Sequence, residues 1–383
     1  MITTEQVRLA DYTTLRLGGP AARFVDAASE AELIAAVQAA DAEAEPVLVL
    51  GGGSNLVIAD EGFPGVVVLT GAGGIQFAAA GDAVEVTVAA GHDWDEFVRS
   101  CLAEGLSGVE CLSGIPGRAG ATPIQNVNAY GQDVADTITS VRAYDRLTGE
   151  VILMAAADCE FGYRTSAFKR QAAAAGRGGA LNPASATGRF VILAVTFRLT
   201  ASPLSAPVRY GELSRVLGIA DGGRVPLAEA RAAVLELRRS KGMVLAEADP
   251  DTRSAGSFFT NPVVSAAQYG ELAARLAAAG GAGGAADAGA ADGGGVPHWP
   301  TPDGQVKLSA AWLIEHAGFS KGWQLPGDPD GARISAKHAL ALTNPGQAST
   351  AGLMRLARHI RAGVLAAFGV TLMNEPVLVG VEL

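Results

Sequence analysis

Apolar runs in the first two hundred residues are short and stop at glycines. Val47-Leu48-Val49-Leu50 is wholly apolar and ends at Gly51-Gly52-Gly53, the pattern of a buried strand feeding a tight loop. Val66-Val67-Val68-Leu69 predicts a second buried strand, and Val84-Glu85-Val86-Thr87-Val88 alternates as a half-exposed strand does. Trp94, Phe97, Val98, Cys101 and Leu102 recur at helical spacing, which predicts a helix running to about Gly105. Further strands are expected at residues 138–144, 151–154 and 191–199.

The second half carries helical stripes. Leu227, Ala230, Val234 and Leu237 share one face, and Leu353, Leu356, Ile360, Val364 and Ala367 share another. A strand is expected at residues 376–381. Two prolines after the 191–199 strand place a boundary near residues 202–207. The expected domains are therefore 1–205, in two lobes of about 1–70 and 71–205, and 206–383. Residues 279–295 contain only Gly, Ala and Asp. Such a stretch buries nothing and loses much entropy on ordering, so it is expected as a mobile surface insertion.

Composition narrows the class. The 383 residues suit two or three domains, and 49% hydrophobic against 18% charged residues describes a globular chain. A net charge of −10 argues against a nucleic-acid partner. No window approaches the ~20 apolar residues of a membrane span, and the first residues lack the basic and apolar regions of a signal peptide. Cys101, Cys111 and Cys159 form no C-x-x-C pair, which fits a reducing cytoplasm. His92, His298, His316, His338 and His359 show no i,i+4 ligand pair, so no metal is expected. His92, before Asp93-Trp94 at a helix start, reads as a capping or solvent-facing residue rather than a covalent cofactor tether.

Candidate chemistry sits in six places. Gly51-Gly52-Gly53-Ser54-Asn55-Leu56 can turn backbone N–H groups towards one point and hold phosphate oxygens without a cation. It matches neither G-x-G-x-x-G nor the P-loop, and such a turn taken alone is a tight loop more often than a ligand site. Ser113-Gly114-Ile115-Pro116-Gly117, followed by Gln125, Asn126, Ala129, Tyr130 and Gly131, offers backbone groups, amides and a ring with few charges. That suits a dinucleotide, with a rigid structural crossover as the alternative. Tyr163-Arg164 sets a planar guanidinium beside an aromatic; it serves carboxylate recognition or a structural stack. Gly256-Ser257-Phe258-Phe259 holds a hydroxyl between glycine and rings, a nucleophile or a proton donor. Glu375 precedes the closing apolar run as a capped edge residue or a buried acid. The cluster Arg238-Arg239-Ser240-Lys241 is an anion-facing patch or a solvated helix end.

Taken in order, these segments resemble the UDP-N-acetylenolpyruvoylglucosamine reductase family over almost the whole chain. Thr14-Leu15-Arg16-Leu17-Gly18-Gly19 stands where that family has its opening loop, and Asn261-Pro262 and Asn374-Glu375-Pro376 complete the series. Asn128 stands where the family more often has glycine, and residues 279–295 are extra. The resemblance implies an α+β fold: a two-lobed FAD-binding domain of the vanillyl-alcohol-oxidase type, then an α/β substrate-binding domain.

It also implies a reaction. NADPH reduces a non-covalently bound FAD, and flavin N5 passes a hydride to C3 of UDP-N-acetylglucosamine enolpyruvate. Arg164 and a protonated Glu375 stabilise the resulting charge, and Ser257 protonates C2. Residues 51–56, 113–117, 125, 126 and 129–131 are the implied cofactor contacts. Tyr163, Tyr210, Arg238, Lys241, Asn261 and Gln324 are the implied substrate contacts. A cytoplasmic monomer in cell-wall precursor synthesis is expected. Two other classes compete: an FAD oxidase of the same superfamily, and a nucleotide-binding module without catalysis. The presence of Arg164, Ser257 and Glu375 argues against the module, and the missing His or Cys tether against the oxidase.

Overall fold

The computed structural model describes residues 2–175, 181–278, 295–301, 303–328 and 331–383. Apart from Gly295, the expected insertion at 279–295 lies outside them. The chain divides into two compact units, Met1–Ser54 with Ile58–Val244, and Asn55–Val57 with Leu245–Leu383.

In the first unit, four strands line up in the order Ile2–Arg8, Pro20–Ala27, Phe63–Thr70, Val47–Leu50. The outer pair of Ile2–Arg8 and Pro20–Ala27 is antiparallel; the other two pairings are parallel. A parallel sheet needs cover, and its strands read as continuous apolar runs for that reason. Helix Glu30–Ala42 supplies the cover through Leu33, Ala36, Val37 and Ala40, buried against Val25, Val47, Val66 and Val68. Ser29 caps it by accepting the Glu32 N–H at 3.2 Å.

A second, antiparallel sheet runs Glu150–Ala155, Ile138–Asp145, Phe190–Ala201, Ala83–Ala89, Ile75–Ala80. Helix Trp94–Ala103 lies on it, capped by Asp93, whose carboxylate accepts the Glu96 N–H. Trp94, Phe97 and Phe197 meet at ring-centroid distances of 5.1–5.8 Å. Each such ring, buried to below 1% exposure, contributes about 1.5–3 kcal/mol. The buried Trp94 indole keeps its N–H satisfied on the Leu112 carbonyl, 3.0 Å away. That bond ties the core to the start of the second glycine loop.

The expected boundary near residue 205 falls inside the first unit, whose last residue is Val244. Helices Gly211–Leu217 and Leu227–Ser240 bury Val208, Leu213, Ala233, Val234 and Leu237 together with Cys111. The prolines at 203 and 207 mark a turn, but the apolar stripe beyond them finds its partner in the preceding sequence.

The second unit combines short antiparallel strands with helices. Ser254–Ser257, Ala341–Thr343 and Arg333–Ile334 form one sheet; Val263–Val264, Val306–Leu308 and His298–Pro300 form another. Helix Thr350–Phe368, capped by Ser349, buries Leu353, Leu356, Ile360 and Val364 of the predicted stripe, whereas Ala367 is exposed and its neighbour Phe368 is buried in the last turn. Val377–Val379 closes the unit on Asn55–Val57, the Val377 N–H donating to the Asn55 carbonyl at 2.9 Å. Among the described residues no helix is long and apolar enough to cross a membrane.

Candidate active site

The first glycine loop leaves strand Val47–Leu50 and interlocks with the second at backbone contact. A Cβ on Gly52 would lie 2.6 Å from the Gly117 Cα, and one on Gly53, at φ +58°, 2.0 Å from the Tyr12 carbonyl oxygen. Only glycine fits at these two positions. Among the described residues, no hydrogen bond occupies the N–H groups of Gly52, Gly53 and Ser54. Consecutive outward N–H groups around a left-handed residue make an anion nest. The Gly53 carbonyl is spent on the Thr14 N–H. These features fit the pyrophosphate of a dinucleotide. Asn55 and Leu56 belong to the second unit, where the Asn55 carbonyl serves Val377.

The second loop is fixed from below. Ser113 is fully buried, and its hydroxyl and its N–H both donate to the Glu110 carbonyl, at 2.6 and 3.3 Å, so neither is available to a ligand. The buried Glu110 carboxylate accepts the N–H groups of Gly108 and Ala206. The Gly114 N–H donates to Asp95 Oδ1 at 2.6 Å. The Gly117 carbonyl accepts the Trp94 N–H. His92 does not cap the helix, which Asp93 does; it is half-buried, its Nδ1 accepts the Gly74 N–H, and its Nε2 is buried without a partner among the described residues.

Asn126 joins the amide-rich segment to the Tyr163-Arg164 turn. Its Nδ2 donates to the Gly162 carbonyl at 3.1 Å and its Oδ1 accepts the Ala135 N–H. Gly162 and Thr165 exchange both backbone hydrogen bonds, and Arg164 between them sits at φ +51°. A non-glycine residue held there stores strain, a hallmark of functional turns. Lys169 Nζ donates to the Arg164 carbonyl, and Ser166 Oγ to the Ile124 carbonyl. Tyr163 is exposed and Arg164 half-buried.

Tyr130 and Tyr210 meet edge to face at 5.3 Å. Burial pushes the Tyr130 phenol up to about 12, so it stays neutral. Lys241 is paired with Glu212 Oε2 at 2.5 Å and lies over the Tyr130 ring. Arg238 is not the solvated helix-end cation of one sequence reading. It is half-buried, desolvation pulls its guanidinium down to about 10, and its Nη2 donates to the Met243 carbonyl. Its Nε has no partner among the described residues.

In the second unit, Ser257 ends its strand opposite Ala341, half-buried. The Glu375 N–H donates to the Phe258 carbonyl at 2.8 Å, and Phe259 bridges Asn374. The two segments are thereby joined next to both side chains. Glu375 is 8% exposed. Asn261 Oδ1 accepts the Ala310 N–H at 3.0 Å, at the start of helix Ala310–His316, so one of its polar atoms has a structural task. Gln324 bridges Arg333 through its backbone.

Sequence reasoning missed Asp95, Arg231, Glu110 and Glu212, none of which carries a local motif. A cleft of about 430 Å3 in the first unit, walled by residues 70–76 and the Glu30–Arg142 ion pair, contains none of the predicted residues. No group of His, Cys, Asp and Glu among the described residues could hold a metal ion.

Comparison with known proteins gives a consistent set of relatives. Residues 21–155 match the model of an FAD binding domain, and residues 249–379 that of the UDP-N-acetylenolpyruvoylglucosamine reductase C-terminal domain. The chain is 54% identical to UDP-N-acetylenolpyruvoylglucosamine reductase of Thermobifida fusca, over 98% of each chain. It is 53% identical to that of Salinispora arenicola, over 99% of this chain and 96% of the other. The crystal structure of the Thermus caldophilus reductase shares the fold with a TM-score of 0.61 at 24% identity, covering 98% of this chain and 99% of that one.

Proposed function

The chain belongs to the UDP-N-acetylenolpyruvoylglucosamine reductase family, and on that footing we propose that it reduces UDP-N-acetylglucosamine enolpyruvate to UDP-N-acetylmuramate. NADPH is the reductant, and the product is a peptidoglycan precursor made in the cytoplasm by a monomer. The observation that carries this reading is the junction of the Ser257 and Glu375 segments in a chain matched end to end by its relatives.

Residues 51–56 and 113–117 would hold FAD through backbone groups, the N–H groups of Gly52, Gly53 and Ser54 foremost, with Gln125, Asn126, Ala129, Tyr130 and Gly131 along its length. Bound FAD would supply the redox chemistry, by which a hydride from NADPH reaches the alkene carbon C3. The chain's own residues handle charge and proton. Arg164, fixed by its strained turn, pairs with the substrate carboxylate on which negative charge collects. Glu375, in its protonated form, donates the second contact to that charge. Ser257 gives its hydroxyl proton to C2, so the double bond is replaced by two new C–H bonds. Tyr163, Tyr210, Arg238, Lys241, Asn261 and Gln324 serve the nucleotide sugar. Lys241 exchanges its partner Glu212 for the diphosphate.

The test is anaerobic. NADPH bleaches the flavin, and added UDP-N-acetylglucosamine enolpyruvate restores its absorbance. A flavin that stays bleached overturns the assignment; reoxidation only on admitting oxygen favours an oxidase.

A further inference from the structure

The second glycine loop presents a carboxylate where an anionic cofactor is to be held. Asp95, in the first turn of helix Trp94–Ala103, accepts the Gly114 N–H at 2.6 Å. Arg231, on helix Leu227–Ser240, meets both Asp95 oxygens at 2.7 Å. The same helix abuts the loop: a Cβ on Gly114 would lie 2.6 Å from Leu235 Cδ2. The two ionic side chains are 34% and 18% exposed, dry enough for their charges to be felt across the loop. A bare carboxylate here would repel a diphosphate; a fork-paired one presents a neutral face and still fixes the N–H.

We propose that Asp95 is a positioning residue for the cofactor loop and that Arg231 is the counter-charge that makes its presence compatible with bound FAD. The proposal rests on reading residues 113–117 as a cofactor loop. The Asp95 oxygen spends the Gly114 N–H on the protein and sets the left-handed turn at Gly114, φ +72°. The N–H groups that follow are thereby aimed, while Arg231 cancels the charge that does the aiming.

The test uses the full-length holoenzyme. FAD release on dilution is followed by recovery of flavin fluorescence across a salt series, with far-UV circular dichroism as the control for folding. Asp95→Ala is expected to weaken FAD binding by about tenfold or more, the loss of one charged hydrogen bond. Asp95→Asn keeps an oxygen towards Gly114 and stays within about threefold of wild type. Arg231→Met exposes the carboxylate and weakens binding by about tenfold at low salt, a deficit that shrinks as salt screens it. Adding Asp95→Asn to Arg231→Met removes that deficit. Wild-type affinity in Asp95→Ala, or equal, salt-independent losses in Arg231→Met with and without Asp95→Asn, overturns the proposal. Should Asp95→Ala fail to fold, the Arg231→Met pair alone decides. A wild-type chain that holds no FAD overturns the cofactor reading itself.

Discussion

Ser257 and Glu375 sit on backbone that cannot drift independently, because the Glu375 N–H is bonded to the residue after Ser257. A hydroxyl fixed in this way can be removed without disturbing its surroundings. Ser257→Ala is expected to leave flavin reduction by NADPH near the wild-type rate and to slow reoxidation by the sugar substrate by roughly 10²–10⁴-fold. Stopped-flow absorbance separates the two half-reactions, and equal losses in both contradict a proton-donor role. Ser257, Arg164 and Glu375 were legible in the sequence because each stands in a distinctive neighbourhood of glycines, aromatics or a proline. Arg238 and Lys241 were legible only as cations. Their actual surroundings, a half-buried site beside the Met243 carbonyl and a pairing with Glu212, depend on residues whose proximity no local pattern encodes.

At the scale of elements, the two glycine loops form one device, since neither can shift without the other. Gly53→Ala forces a side chain into left-handed backbone and onto the Tyr12 carbonyl. The strain alone costs about 1–2 kcal/mol, and relieving the clash moves the nest. The expected result is purified protein with little flavin and a lowered melting temperature. Gly81→Ala, at φ +71° with nothing within 4 Å, is the control: a similar strain cost with full flavin content. Flavin absorbance per mole of protein checks both. Strand Val47–Leu50 and helix Trp94–Ala103 were readable from apolar spacing to within a residue or two. The closing strand Val377–Val379 was also read, within the expected 376–381, but the other two- to four-residue strands of the second unit were not, because so few residues show no periodicity.

Three carboxylates give the whole molecule an acid limit. At Asp95 burial works to raise the pKa, but the Arg231 hydrogen bonds, the Gly114 N–H and nearby cationic charge outweigh it, so the net shift is downward. Asp145 is lowered by its hydrogen bonds from Arg189, and Asp249 by its bond from Lys337. A lowered folded pKa means stability that is present above the ordinary value of 3.8 and is lost as pH falls through the folded value. The melting temperature is therefore expected to hold steady down to about pH 5 and to drop below about pH 4, with a shallower drop in Asp145→Asn. A decline that begins above about pH 6 would point to other groups.

The division into two units was only partly visible in the sequence. The turn at 203–207 was clear, whereas the burial of residues 208–237 with Cys111 is a tertiary fact. Nor does any pattern announce that three residues early in the chain, Asn55–Val57, belong with the second unit. Their pairing with Val377–Val379 sets an order of events during synthesis. The ribosome delivers residues 55–57 early, and they must wait with backbone groups unsatisfied until residues 377–379 emerge. Over that interval the nascent chain carries an open strand edge, which is where a chaperone would bind and where a stalled or truncated product would aggregate.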